Sequence, residues 1–170
     1  MKILAIGDPH GKIPRNLPKN IDLILLTGDI GKADLARKMA FENIERKKQG
    51  LPEIEYSPSQ KKRAFMEQYN SAVSVIRSLS KIAPLYTIYG NVESNNYEVR
   101  KMMREIGMKL PFFTNALNSI KNARVINNKI ANFNEVRVGG LEYFVDTNWV
   151  RDFKPSEYRE SLKNARKMTN

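Results

Sequence analysis

Four side chains in three short motifs stand out for what they could do together. Asp8 and His10 sit two apart in Asp8-Pro9-His10, Asp29 follows Gly28, and Asn91 follows Gly90. Two carboxylates, an imidazole and a neutral amide oxygen form a donor set suited to a pair of hard or borderline divalent cations. Asp29 has two oxygens and could bridge two ions, while Asn91 would add a neutral ligand to an otherwise anionic cluster. Each motif alone is weak, because Asp-x-His is frequent by chance and Gly-Asp and Gly-Asn are ordinary turn dipeptides. Their weight comes from where they fall.

Each motif closes an apolar run: Lys2–Gly7 before Asp8, Ile21–Thr27 before Gly28, and Leu85–Tyr89 before Gly90. The first two runs do not alternate, which predicts strands buried on both faces of a parallel sheet covered by helices. Carboxyl ends of neighbouring strands would then deliver the four side chains to one point. Gly28, Gly90 and Gly11 flank them and allow sharp turns with open volume above. Between the first two runs, Ile13–Pro18 is too proline-rich for a helix interior.

From Lys32 to about Lys48, Leu35, Met39, Phe41 and Ile44 approximate a helical period, and Gln49-Gly50-Leu51-Pro52 stops it. Ser57-Pro58 opens a second helix with one stripe of Phe65, Tyr69, Ala72, Val73, Ile76 and Leu79, ended by Ala83-Pro84. These two form a helical hairpin at about 33–81, between strands expected to be joined by a right-handed parallel crossover. Ser94 or Asn95 caps a further helix to about Ile106, closed by Gly107. Arg124–Asn127, Lys129–Phe133, Glu135–Val138 and Leu141–Val145 read as strands of a second sheet, with Gly139-Gly140 as a hairpin turn. A last helix is expected from Pro155 or Ser156 to about Lys167. Met102, Met103 and Met108 read as core filler. Trp149, Phe144 and Phe153 are expected to pack at the sheet-to-helix junction.

Composition bounds the rest. The chain has 170 residues, no cysteine and one histidine, with 29 Lys+Arg against 18 Asp+Glu for a net charge of +11. The expectation is one α/β domain over 1–170, without disulfides or thiolate metal sites. No run approaches the ~18 apolar residues of a membrane span. The apolar start is too short for a signal peptide, so a cytoplasmic location is expected. The positive charge makes nucleic acid a secondary expectation as partner. Arg46-Lys47-Lys48 and Lys61-Lys62-Arg63 could form a basic tip beside the helical turn, although a solvated surface is the simpler account. Gly7–Lys12 is one residue short of a phosphate-binding loop and lacks its Ser/Thr.

The order Asp8-x-His10, Gly28-Asp29, Gly90-Asn91 resembles the calcineurin-like metallophosphoesterase superfamily. The stretches Leu26–Leu35 and Tyr86–Glu93 resemble its archaeal Icc-related branch. The resemblance runs over nearly the whole chain and matches roughly the first two-thirds of a family domain. It implies a partial metallophosphoesterase-type sandwich of two mixed sheets flanked by helices. It further implies two divalent ions, manganese first, with iron, zinc or magnesium as alternatives. Asp8, His10 and Asn91 would be ligands and Asp29 the bridge. A metal-bound hydroxide would attack a phosphate ester, a diester rather than a monoester.

The family's third motif commonly continues with a histidine, and Val92 stands there, so no general acid is named. Its later histidine ligands have no counterpart, since His10 is the sole histidine. The expectation is therefore an incomplete domain with three explanations. It could be the N-terminal part of a longer enzyme. It could be a short chain completed by a second copy or another partner chain. Or it could be a non-catalytic scaffold or binding module.

Overall fold

Three of the apolar runs become adjacent strands. The computed structural model describes residues 1–141 together with Arg159, Lys163 and Arg166. Strands β1 (Ile3–Ile6), β2 (Leu23–Leu26), β3 (Leu85–Thr87) and β4 (Ala123–Val125) form an all-parallel sheet in that order. Ile6 lies opposite Leu26, and Leu26 lies opposite Thr87. β1, β2 and β3 therefore end level, and the loops that follow them leave the sheet along one edge. This register is what sets the three motifs side by side.

The central strands are covered on both sides: Leu23, Ile24 and Leu85 have no exposed surface. Each such side chain contributes about 1.5–3 kcal/mol through burial. β1 departs from the expectation of burial on both faces. Among the described residues it is, like β4, a strand at an edge of the sheet, and its Ile3 is 43% exposed. An edge strand keeps neighbours on one side only, which its apolar sequence does not reveal.

The helical hairpin at about 33–81 forms, as α1 (Asp34–Lys48) and α2 (Pro58–Leu79), but its two arms differ. α2 is a main core helix and buries Ala64, Phe65, Ala72, Val75, Ile76 and Leu79. Its start is fixed by Ser57 and Gln60, which bond reciprocally to each other's backbone, with Pro58 in the first turn. α1 buries no residue, and the predicted apolar stripe lies open, with Phe41 65% and Ile44 48% exposed. Its period came from few residues, and α2 shields one flank only.

α3 (Asn96–Ile106) is capped by Asn95, whose side chain accepts from Tyr97 N and Glu98 N, and ends at left-handed Gly107 (φ +67°). Met102 and Met103 pack on the core; Met108 is exposed at the turn and fills nothing. A short helix, α4 (Phe113–Asn118), was not legible from periodicity because six residues are under two turns. It buries Phe113 and Leu117. Phe113 meets Phe65 edge-on at 5.6 Å between ring centres and Tyr69 at 5.3 Å.

The Arg124–Asn127 run does not begin a second sheet. It joins the first as β4, because the turn after α4 delivers it to the free edge of β3, where Leu85 N donates to Asn122 O at 2.8 Å. The second sheet is the antiparallel hairpin β5 (Lys129–Phe133) and β6 (Val136–Gly140). Its turn is at Asn134-Glu135, with Asn134 at φ +51°, and not at Gly139-Gly140, which lie inside β6. Gly140 is required for another reason: a Cβ there would collide with the Ile126 carbonyl.

Among the described residues, then, the sheets are one parallel and one antiparallel, not mixed. Arg159, Lys163 and Arg166 are helical, as expected of the last helix. The predicted strand beyond Leu141, and Phe144, Trp149 and Phe153, lie outside the described residues. Among the described residues, no helix is long and apolar enough to cross a membrane.

Candidate metal centre

The loops after β1 and β2 are built from backbone conformations that side chains disfavour. Asp8 (φ +44°), His10 (φ +45°) and Asp29 (φ +46°) are all left-handed without being glycine. Aspartate tolerates this region better than most residues, yet each instance costs on the order of 1 kcal/mol or more. Three of the four predicted ligands carry that cost. The contacts that hold them run between the loops: His10 N donates to Asp29 O at 3.0 Å, and Gly11 N to Ile30 O at 2.7 Å. Gly11, itself left-handed at φ +78°, leaves no room for a side chain, since a Cβ would come within 2.9 Å of Lys32 Cβ.

The third loop is pressed equally close. A Cβ on Gly28 (φ +104°) would lie 2.5 Å from Gly90 N, and one on Gly90 would strike the Asp29 backbone nitrogen and carboxylate. The two glycines let the β2 and β3 loops touch backbone to backbone. Asp29 is thereby bracketed: its Oδ1 accepts from Val92 N at 3.0 Å. The Asn91 side chain lies across the Asp29 carboxylate, and with its amide nitrogen turned inward it donates to both oxygens at 2.6 Å.

Beneath this pair sits Glu93, 1% exposed. One of its oxygens accepts from Ile30 N (2.8 Å) and Gly31 N (2.9 Å), and the other from Gly90 N (3.1 Å). It clasps the β2 loop to the β3 loop directly behind Asp29. Burial pushes its pKa above the ordinary carboxylate value, aided by the Asp29 charge and opposed by the three N–H donors. The partners of Glu93 are thus all backbone amides. Val92 is 6% exposed and packed inward.

His10 has a neighbour that sequence reasoning missed. Arg37, in the first turn of α1, places Nη2 3.3 Å from His10 Nε2. Since guanidinium only donates, Nε2 is the acceptor and Nδ1 carries the proton. Nδ1 is buried and has no hydrogen-bond partner among the described residues. The only sequence signal was that Arg37 falls eight residues after Asp29, and nothing there gave the direction of α1.

The fold thus brings Asp29 and Asn91 into side-chain contact and ties His10 to Asp29 through backbone. Asp8 is an exposed member of the same loop. Among the described residues, no three histidine, aspartate or glutamate side chains form a group able to hold a metal ion. The carboxylates and the amide oxygen nevertheless suit a hard cation, whereas the unpartnered His10 nitrogen carries a proton and offers no lone pair in this tautomer. The set is gathered at one sheet edge but not closed around a point.

No family model matches the chain, and no curated protein matches it. A crystal structure is similar at a TM-score of 0.49 and 16% identity, over 90% of this chain and 65% of that one, so the chain spans just under two thirds of that protein's length.

Proposed function

We propose that this chain carries a metal-dependent phosphoesterase site of the metallophosphoesterase type, or the N-terminal part of one. One observation carries the proposal: three of the four candidate ligands sit in left-handed backbone on two interlocked loops at the level ends of parallel strands. Such strain persists only where surrounding structure imposes it, and it concentrates at functional sites. On this reading, the two sheets are leaves of that family's sandwich, which a second copy or another chain would complete.

Asp29 and Asn91 would hold the ions at the centre with Asp8 as a flanking ligand, and His10 would join through Nε2 where a bound ion displaces its contact with Arg37. Divalent cations, manganese first, supply Lewis acidity toward a phosphoryl oxygen when bound. The residues fix the rest. Glu93 holds the Asp29 and Asn91 loops together, and Gly28 and Gly90 let them meet backbone to backbone. Val92 has no proton to give to a leaving group, and a missing general acid typically costs ~10²–10⁴-fold. Substrates with good leaving groups are therefore expected, and the resemblance adds the preference for diesters over monoesters.

The test is manganese-stimulated hydrolysis of bis(4-nitrophenyl) phosphate by the full chain beside Asp29→Ala. Turnover that the substitution abolishes supports the proposal. A second reading is a non-catalytic binding module, favoured by the inward-packed Val92 and the unclosed ligand set. It predicts no turnover and no manganese-dependent rise in melting temperature.

A further inference from the structure

The helix that buries nothing brings a charge to the candidate site. α1 has no side-chain cap of its own, because Ala33 precedes it. Its first turn is moored by α2 instead: Leu35 N donates to Glu67 Oε2 at 2.9 Å, and Lys32 N to Ser71 Oγ at 2.7 Å. These bonds fix the backbone from which Arg37 reaches His10.

The two cations of this segment then have different fates. Lys32 Nζ is neutralised by Asp34 at 3.0 Å and Glu67 at 3.4 Å. Arg37 has no carboxylate within ion-pair distance among the described residues, and its guanidinium meets His10 Nε2. An arginine in the first turn also stands at the wrong end of the helix dipole. Neither an ion pair nor helix stability accounts for it. A guanidinium held by one nitrogen keeps a planar fork of donors, the geometry that takes two oxygens of a phosphate at once.

We propose that Arg37, with His10 beside it, forms an oxyanion subsite that binds the non-bridging oxygens of a phosphate group. The cationic group that Val92 cannot supply would come instead from the helical hairpin. As an assignment of substrate contact, this rests on the phosphoesterase reading; as an anion site, it is testable without it.

The sole histidine makes the test direct. Inorganic phosphate is titrated into the metal-free full chain in the presence of a chelator, following the His10 ring proton by NMR. The wild type is expected to show a saturable shift. Arg37→Ala should weaken binding at least ~10-fold, since the fork is lost. Arg37→Lys should recover part of it, as a point charge without the fork. Arg37 is exposed, and an unchanged melting curve for Arg37→Ala confirms that the fold is intact. A wild type that shows no His10 shift at saturating phosphate overturns the subsite, as does an Arg37→Ala chain that binds equally well. If phosphate binding depends on Arg37 but manganese-stimulated turnover is absent, the subsite stands and the phosphoesterase reading falls.

Discussion

Removing the Glu93 carboxylate should loosen the site from behind. Glu93→Ala orphans three backbone donors, those of Ile30, Gly31 and Gly90. An unsatisfied buried donor costs about 1–3 kcal/mol. Water entering the vacated space returns part of that, so a loss of roughly 3–5 kcal/mol is expected. Against a typical total of about 5–15 kcal/mol, this is a large fraction.

Glu93→Gln separates two opposing effects. It spares the burial of a charge, which the upward pKa shows is not fully compensated. However, its amide nitrogen faces Gly90 N–H, donor against donor, while its oxygen still serves Ile30 and Gly31. A loss of about 1–2 kcal/mol is expected, clearly less than for alanine. Urea unfolding with linear extrapolation measures both. If alanine costs under ~1 kcal/mol, or no more than glutamine, the clasp does not hold the loops and the reasoning fails.

Other expectations follow from single contacts. Gly90→Ala drives a Cβ into the Asp29 backbone, so it should cost about 1–3 kcal/mol and abolish any manganese-dependent melting shift, both read in one thermal series. Asn95→Ala removes the acceptor for Tyr97 N and Glu98 N, and should cost roughly 0.5–2 kcal/mol by urea unfolding. Glu105 is held below the ordinary carboxylate value by its hydrogen bond and charge contact with Lys61. Its folded-state pKa is depressed, so its contribution is present above the unfolded-state value and fades as pH falls through the folded one. Glu105→Gln should flatten the melting temperature against pH in that acidic window. The pair is exposed, so high salt should shrink the difference.

The parts legible in the sequence were those where a local rule and the global fold agree. Ser57-Pro58, the Ser94-Asn95 pair and Gly107 marked helix ends because capping is chemistry of adjacent residues, while the choice of Asn95 and the reciprocal partners Gln60 and Glu98 came from the fold. The first three strands were legible from continuous apolar runs, which coverage on both faces explains for β2 and β3 but not for β1. What escaped depended on partners distant in the chain. Whether the run at 124 pairs with β3 or opens another sheet is decided by the path of α4, which is too short to announce itself. Exposed Phe41 and Ile44 look like a core face until the position of α2 is known. At the site, the four candidate ligands were readable from type and spacing. Arg37 and the clasping role of Glu93 were not, because each depends on how one loop or helix is seated against another.

The central claim is that the Asp8, His10, Asp29 and Asn91 loops form a seat for a divalent cation. Manganese is paramagnetic and the chain has one imidazole, so broadening of the His10 ring resonance reports the distance directly. Titration of the full chain with manganese should broaden that signal at sub-stoichiometric metal, and Asp29→Ala should require far more. A His10 signal that stays sharp at saturating manganese, or broadens equally in Asp29→Ala, contradicts the account.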